Sequence, residues 1–221
     1  MNKNAATTTN HCRICGQPVT TWNDPRIQVM YDVCDHCHFI YKQPPYHPDH
    51  QAEKHRYETH NNDPGNPGYR SYMERFVENH VTPLADVRTI LDYGSGPYPM
   101  LADVLRDAGY DVAIYDPYFH PHDEYADGRY DLIILHEVIE HMADPLSGLR
   151  RLIKLLQPSG RLLVRTQFRP LDKDAFLAWW YKRDETHVGF FDDRTFVVLA
   201  SLLDLVVSTS NHKDIVLLQR R

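Results

Sequence analysis

From residue 87 onward, strand-like and helix-like segments alternate, and this alternation limits the possible folds more than any other feature of the chain. Short apolar runs typical of buried strands lie at residues 89–91, 111–115, 131–135 and 161–166. Apolar residues recur at helical spacing over 100–108, 144–156, 172–181 and 193–203, and two last strand-like runs occupy 205–209 and 214–219. The succession predicts an α/β domain with a parallel sheet that carries helices on both faces.

The junction between the first of these strands and its helix has the composition of a ligand-binding turn. Gly94 and Gly96 allow the backbone to turn tightly and approach a ligand, and the helix that follows presents free N–H groups. Asp92 at the strand end favours a cationic or hydroxyl-bearing ligand over a pyrophosphate. Asp116 ends the second strand, where it can accept hydrogen bonds from ribose hydroxyls. A strand–turn–helix that binds nothing is the alternative.

A dinucleotide-binding fingerprint would place a third glycine after this turn. The chain has Tyr98 and Pro99 near that place instead. The sequence therefore predicts a nucleoside-containing ligand other than a dinucleotide.

Three motifs, in this order and spacing, resemble those of the class I S-adenosylmethionine (SAM)-dependent methyltransferases. They are Leu91-Asp92-Tyr93-Gly94-Ser95-Gly96, the fourth-strand segment from Tyr130 to His141, and the turn Leu156-Gln157-Pro158-Ser159-Gly160. The resemblance covers residues 87–221 and implies a Rossmann-like sheet that binds SAM. It does not specify the methyl acceptor.

Carried over position by position, the resemblance implies cofactor-binding roles for two groups of residues. Asp92, Gly94, Ser95 and Gly96 would line the methionine end of SAM, with Tyr93 between them, and Asp116 would hold the ribose. His136 and Glu137, just past the fourth strand, would flank the sulfonium and the acceptor cavity.

The connection after Asp116 departs from the family pattern. Only residues 117–129 precede the next strand, too few for the usual helix, strand and adenine-contacting loop. We therefore expect an abbreviated crossover in which Pro117, Tyr118 and Phe119 form the adenine wall. Simple packing of these residues within the loop is the alternative.

Four cysteines near the N-terminus form two Cys-x-x-Cys pairs, Cys12 with Cys15 and Cys34 with Cys37, separated by eighteen residues. Each pair delivers two thiolates at a bite that suits tetrahedral zinc, and four thiolates close the coordination shell. The pattern predicts a structural zinc ribbon, with free thiols or disulfides as alternatives. It is similar to the ribbons attached to some sugar C-methyltransferases and to a ribosomal RNA guanine methyltransferase.

Three residues are candidates for catalysis. His136 and His141 lie five positions apart, which is the wrong spacing for a His-Glu-x-x-His metalloprotease site. Glu140 and His141 instead match a Glu-His pair common after the fourth strand of the methyltransferases, where loop anchoring is the alternative to catalysis. His187 is suited to accept a proton from the acceptor, or else packs against Phe190 and Phe191.

The segment before the core is rich in functional groups. Tyr57, His60 and Tyr69 are candidates for a lid over the SAM pocket, with a solvated helix as the alternative reading of residues 53–60. We therefore expect three parts: residues 10–48 as the zinc ribbon and its proline-rich linker, 49–86 as lid helices, and 87–221 as the SAM-binding core.

Charge and hydropathy narrow the possible partners. The formal net charge is −6, and the ribbon region holds few basic residues, among them Arg13, Arg26 and Lys42. Neither a signal peptide nor a transmembrane segment is recognisable, so a cytoplasmic protein is expected. The sequence predicts a SAM-dependent methyltransferase with a small-molecule acceptor. The alternatives are an RNA base methyltransferase that docks through the ribbon and a non-enzymatic protein of the same fold with a protein-binding ribbon.

Overall fold

The computed structural model describes residues 11–59 and 66–220. A small antiparallel sheet contains β1 (Thr20–Asp24), β2 (Val29–Val33), β3 (Ile40–Lys42) and β8 (Gly189–Phe190), in that order. A larger sheet contains β4 (Thr89–Tyr93), β5 (Asp111–Tyr115), β6 (Tyr130–His136), β7 (Leu156–Arg165), β9 (Leu205–Ser210) and β10 (Ile215–Arg220). Its strand order is β5-β4-β6-β7-β10-β9.

The described residues also form six α-helices. They are α1 (His50–Glu58), α2 (Pro67–His80), α3 (Met100–Asp107), α4 (Pro145–Leu152), α5 (Lys173–Ala178) and α6 (Asp193–Leu202). Several begin at a side-chain cap, as when Asp144 and Asp192 accept hydrogen bonds from the first turns of α4 and α6. None of these helices is long and apolar enough to cross a bilayer.

The predicted helices on both faces are confirmed by the way β6 divides its side chains. Leu132 and Ile134 point into one apolar cluster with residues of α2 and α3. Ile133 and Leu135 point into the other, with residues of α4 and α6. Alternate residues of a strand face opposite sides of a sheet, so an uninterrupted apolar strand packs against two helical layers.

The sheet is parallel, as predicted, except at β10. Strands β5, β4, β6 and β7 pair in parallel, whereas β10 runs antiparallel to both β7 and β9. Only residues 211–214 connect β9 to β10. A connection that short makes a hairpin, because parallel neighbours need a crossover of a dozen or more residues.

The abbreviated crossover after β5 is confirmed. Residues 117–129 contain one short 3-10 helix, Asp123–Asp127, and no strand. Strand β5 is therefore an edge of the sheet, and the loop that follows Asp116 folds back towards the cavity described below.

The N-terminal sheet is continuous with the core. Strand β8 lies in the C-terminal half of the chain, yet it pairs with β3 through Ile40 opposite Phe190. Cys12, Cys34 and Phe39 belong to the same apolar cluster as Ile133 of β6. The division of the chain at residues 48 and 86 stays a prediction, and one apolar cluster joins the two sheets.

Candidate active site

A cavity of 1190 Å³ opens at the carboxyl ends of β4, β5 and β6. This is the edge at which parallel α/β sheets bind ligands. Most of the predicted site residues line it, namely Tyr57, Tyr69, Asp92, Tyr93, Gly94, Ser95, Gly96, Asp116, Pro117, His136, Glu137, His141 and His187. Glu140 is fully buried behind this wall, and His60 lies outside the described residues.

The two glycines of the first motif have different reasons to be glycine. Gly94 has φ +86°, and a Cβ there would lie 2.4 Å from Cγ2 of Val138 in the loop after β6. Gly96 has φ +69° and open space where its Cβ would be. Gly94 thus allows two loops to pack closely, whereas Gly96 keeps the floor of the cavity clear.

Asp92 places a carboxylate oxygen without a partner in the cavity wall. The residue is buried, and its Oδ2 has no hydrogen-bond partner among the described residues. Burial raises the pKa of this carboxyl to about 7. The Oγ of Ser95 is likewise buried without a partner. Unpaired buried polar groups are rare in native proteins, so two of them beside one turn indicate that a polar ligand completes their hydrogen bonds.

Asp116 holds the glycine turn and the crossover loop together. Its Oδ2 accepts a hydrogen bond from the N–H of Gly96 at 3.0 Å, and its Oδ1 accepts from the N–H groups of Tyr118 and Phe119 at 2.9 and 3.1 Å. A carboxylate has about four acceptor positions. Asp116 therefore retains capacity for the predicted ribose hydroxyls, and it also has a structural role that the sequence did not indicate.

Helix α1 closes one side of the cavity through aromatic contacts. The Tyr57 hydroxyl donates to Oε1 of Glu53 at 2.8 Å, and the Tyr118 hydroxyl donates to the other oxygen of the same carboxylate. The Tyr57 ring also lies 5.3 Å from that of His141. Tyr57 thus connects the predicted adenine side to the predicted acceptor side, in the position expected of a lid residue.

His136 and Glu137 are held by partners from distant parts of the chain. Nε2 of His136 lies 3.2 Å from the Tyr72 hydroxyl, and burial lowers its pKa to about 3, so the ring is neutral. Glu137 has φ +56°, unusual for a residue other than glycine. Its carboxylate forms an ion pair with Arg165 and accepts a hydrogen bond from the Tyr181 hydroxyl at 2.7 Å.

The loop after β6 is tied to the segment before β8 by backbone groups. The N–H of Val188 donates to the carbonyl of Glu140 at 2.8 Å, and Nδ1 of His141 donates to the carbonyl of Thr186 at 3.0 Å. Through these hydrogen bonds Glu140 and His141 anchor the loop after β6 to the segment before β8. Nδ1 of His187 donates to the carbonyl of Tyr181 at 2.7 Å, and the His141 and His187 rings lie 4.8 Å apart.

The four cysteines converge as the zinc ribbon requires. Their sulfur atoms all lie within 4.8 Å of one another, and none forms a disulfide. The two knuckles share one backbone form, since the N–H of Gly16 donates to the carbonyl of Cys12 and that of His38 to Cys34. Four thiols so arranged fit a tetrahedral zinc ion.

Two residues that hold the predicted site together were not among its candidates, and one of them, Tyr181, lines the cavity. Tyr181 contacts both Glu137 and Glu140, and Arg165 pairs with Glu137. Tyr181 occurs in an aromatic run, Trp179 to Tyr181, whose helical spacing in the sequence favours core packing over a role as an acceptor wall. No linear spacing connects it to residues more than forty positions away.

The cavity at the strand ends, the glycine turn and the acid that ends β5 define the fold of a class I SAM-dependent methyltransferase. A family model described as a methyltransferase domain matches residues 68–209, which is more than half of the chain. The protein belongs to this methyltransferase-domain family. No curated protein matches the chain in sequence.

Solved structures with low sequence identity share the fold. An O-methyltransferase family protein from Burkholderia thailandensis superimposes with a TM-score of 0.52 at 15% identity, over 76% of this chain and 62% of that protein. The plantazolicin methyltransferase BpumL, solved in complex with SAH, gives a TM-score of 0.50 at 15% identity, over 79% of this chain and 91% of that protein. The mitomycin 7-O-methyltransferase MmcR gives a TM-score of 0.49 at 18% identity, over 71% of this chain and 59% of that protein. The chain therefore spans about three fifths of two of these proteins.

Proposed function

We propose that the protein transfers the methyl group of SAM to a small-molecule acceptor in the cavity at the ends of β4, β5 and β6. The observation that carries the proposal is the pair of unpaired buried groups, Asp92 Oδ2 and Ser95 Oγ, beside the glycine turn. Membership of the methyltransferase-domain family supports the same activity.

The residues present fit SAM. Asp92 and Ser95 offer an acidic and a hydroxyl partner to its cationic methionine end, Asp116 offers acceptors to ribose hydroxyls, and Pro117 to Phe119 lie beside the predicted adenine position. Bound SAM would supply an electrophilic methyl group on a sulfonium. The cavity of 1190 Å³ exceeds the roughly 300–1000 Å³ of ordinary ligand pockets, so a small acceptor fits beside the cofactor.

The acceptor side lies next to His141, His187 and Trp180. Burial lowers the pKa of His187, so its ring is neutral near pH 7 and its Nε2 can draw a proton from the acceptor. Because methyl transfer needs little covalent help, most of the acceleration would come from alignment of the nucleophile with the methyl group. Glu140 and His141 would hold the loop that sets this alignment.

The charge of the whole chain favours a small molecule over RNA. The cavity lining itself carries both signs, since Glu53, Asp184 and Glu185 are matched by Arg56, Arg151 and Arg183. The chain has a net charge of −6, whereas nucleic-acid binding depends on basic side chains that neutralise phosphates. The free thiols of the ribbon fit a structural zinc ion and a reducing cytoplasmic location.

The proposal is tested by following the methyl group. The zinc-loaded protein is incubated with SAM labelled in the methyl carbon, a panel of small hydroxyl and amine compounds, and total RNA in parallel. We expect label in a small-molecule fraction and none in RNA. Label that enters RNA would overturn the acceptor class, and label that enters neither fraction would count against the activity.

A further inference from the structure

Three side chains with metal-ligand chemistry meet at the acceptor side, away from the cysteines. Glu140 and His141 follow β6, and His187 precedes β8. One ligand atom from each lies within 4.8 Å of the other two, the same limit that encloses the four cysteine sulfurs. Glu140 is 0% exposed and His187 is 7% exposed, whereas His141 is half-buried and lines the cavity together with His187.

Backbone hydrogen bonds fix the tautomer of both histidines. Nδ1 of His141 faces the carbonyl of Thr186, and Nδ1 of His187 faces the carbonyl of Tyr181. A carbonyl oxygen can only accept, so each Nδ1 carries the hydrogen. In a neutral ring the Nε2 atom then presents a lone pair. This is the outer-sphere arrangement that orients metal-ligating histidines.

Glu140 adds a carboxylate of which one oxygen has no donor. Its Oε1 contacts the Tyr181 hydroxyl, which has only one hydrogen and also lies 2.7 Å from Oε2 of Glu137. Its Oε2 is buried with no partner. Among the residues that the structure describes, neither histidine Nε2 makes a hydrogen bond. A buried carboxylate oxygen without a partner is unfavourable unless a donor or a cation approaches it, and Glu140 Oε2 lies in a cluster with two histidines.

We propose that Glu140, His141 and His187 bind a divalent transition-metal ion, a second site distinct from the four cysteines. Two imidazoles and one carboxylate are a ligand set typical of such ions and leave coordination positions open. Ligand bonds of about 2.0–2.2 Å separate two ligands of one ion by at most roughly 4.4 Å. Small side-chain rotations would therefore close the cluster around the ion.

The site also specifies the class of acceptor, an inference that rests on the proposed function. His141 and His187 line the cavity, so the open positions face the acceptor. A phenol or enol oxygen bound there would have a lowered pKa, as metal-bound water has. Its proton would leave to solvent, and the O–CH₃ bond would form as the S–CH₃ bond breaks, giving a methyl ether and S-adenosylhomocysteine. His187 then activates the acceptor through the ion instead of by direct proton transfer.

The test is metal binding by the full chain with its ribbon zinc in place. Zn²⁺ is titrated calorimetrically, and the metal content is measured by mass spectrometry. We expect a second equivalent of zinc, with affinity reduced at least about tenfold in His141→Ala, His187→Ala and Glu140→Gln. His136→Ala is the matched control, because it removes another buried neutral histidine of the same cavity and should retain the second equivalent.

Cobalt provides a readout on the unaltered protein. Co²⁺ in the second site should add a visible spectrum without the thiolate charge-transfer absorption that the cysteine site gives. One metal ion per chain, or a second ion indifferent to all three substitutions, would overturn the inference. Calorimetry with S-adenosylhomocysteine separates the two proposals. Cofactor binding without a second metal ion would contradict only the metal site. A second metal ion without cofactor binding would contradict only the methyl transfer.

Discussion

Asp92 is the residue at which stability and function oppose each other. Burial raises its pKa from 3.8 to about 7. The folded protein therefore holds this proton more tightly than the unfolded chain does. The contribution to stability is complete below about pH 4 and is lost as the pH rises to about 7. A cationic ligand would reverse this penalty by pairing with the ionised carboxylate.

Replacing Asp92 by Asn should separate the two effects. Relative to the unaltered protein, D92N should gain on the order of 2 kcal/mol in the free energy of unfolding when the pH is raised from 5 to 8. Chemical denaturation of both proteins without cofactor measures this difference. Parallel loss of S-adenosylhomocysteine binding is expected. If the difference in stability between the two proteins did not change with pH, the pKa of Asp92 would not be raised by folding, and this account would be contradicted.

Some site residues could be predicted from the sequence and others could not, because they come together in different ways. Asp92, Gly94, Gly96 and Asp116 follow strand ends, and parallel strands bring their ends to one edge, so these residues were predictable together. Tyr181 and Arg165 reach Glu137 only through the fold, with 44 positions between Glu137 and Tyr181. No periodicity or motif encodes such a pair, and their roles could not be predicted.

At the scale of elements, the turn after β4 and the loop after β6 form one unit. Gly94 lies against Val138, the residue that follows Glu137, and a side chain at position 94 would strike it. Glu137 itself adopts φ +56°. The position of the predicted acceptor wall therefore depends on the absence of a side chain at residue 94.

Gly94→Ala should displace the loop after β6. Its Cβ would lie 2.4 Å from Val138 Cγ2, in a backbone conformation with φ +86°. We expect S-adenosylhomocysteine affinity to fall at least about tenfold, measured by calorimetry, together with a lower melting temperature. Gly109→Ala is the control, since it has φ +92° but open space around its Cβ. That variant should lose stability through backbone strain and retain cofactor affinity. Equal affinity losses in both would contradict the steric account.

The elements themselves were largely predictable from their apolar patterns, but such a pattern does not carry the direction of a strand. Strands β5 and β6 carry uninterrupted or alternating apolar runs that fix their place within about a residue. The antiparallel direction of β10 depends instead on the length of the connection from β9, a property of the link and not of the strand. The pairing of β8 with β3 joins segments from opposite halves of the chain, and β8 has only two residues, too few for any pattern.

At the scale of the whole molecule, the ribbon and the methyltransferase core support each other. Lys182 of the core forms a buried ion pair with Asp24 of β1. Nδ1 of His38 lies 2.9 Å from Oδ2 of Asp192, the residue that caps α6. Metal binding that organises the ribbon is therefore coupled to folding of the core.

Removal of the ribbon zinc should destabilise both parts at once. Cys34→Ser, which deletes one zinc ligand, should lower the melting temperature of the whole chain and weaken S-adenosylhomocysteine binding in the same samples. Scanning calorimetry should show one transition. A first transition for the ribbon, followed by an unchanged core that still binds the cofactor product, would contradict this coupling.

The central claim is that the cavity at the strand ends binds SAM, and equilibrium binding of S-adenosylhomocysteine to the zinc-loaded protein tests it most directly. Calorimetry should give one site of micromolar affinity, abolished in Asp92→Ala and unchanged in Asp111→Ala, an exposed aspartate at the other end of the neighbouring strand. No binding by the folded, zinc-loaded protein would contradict the account.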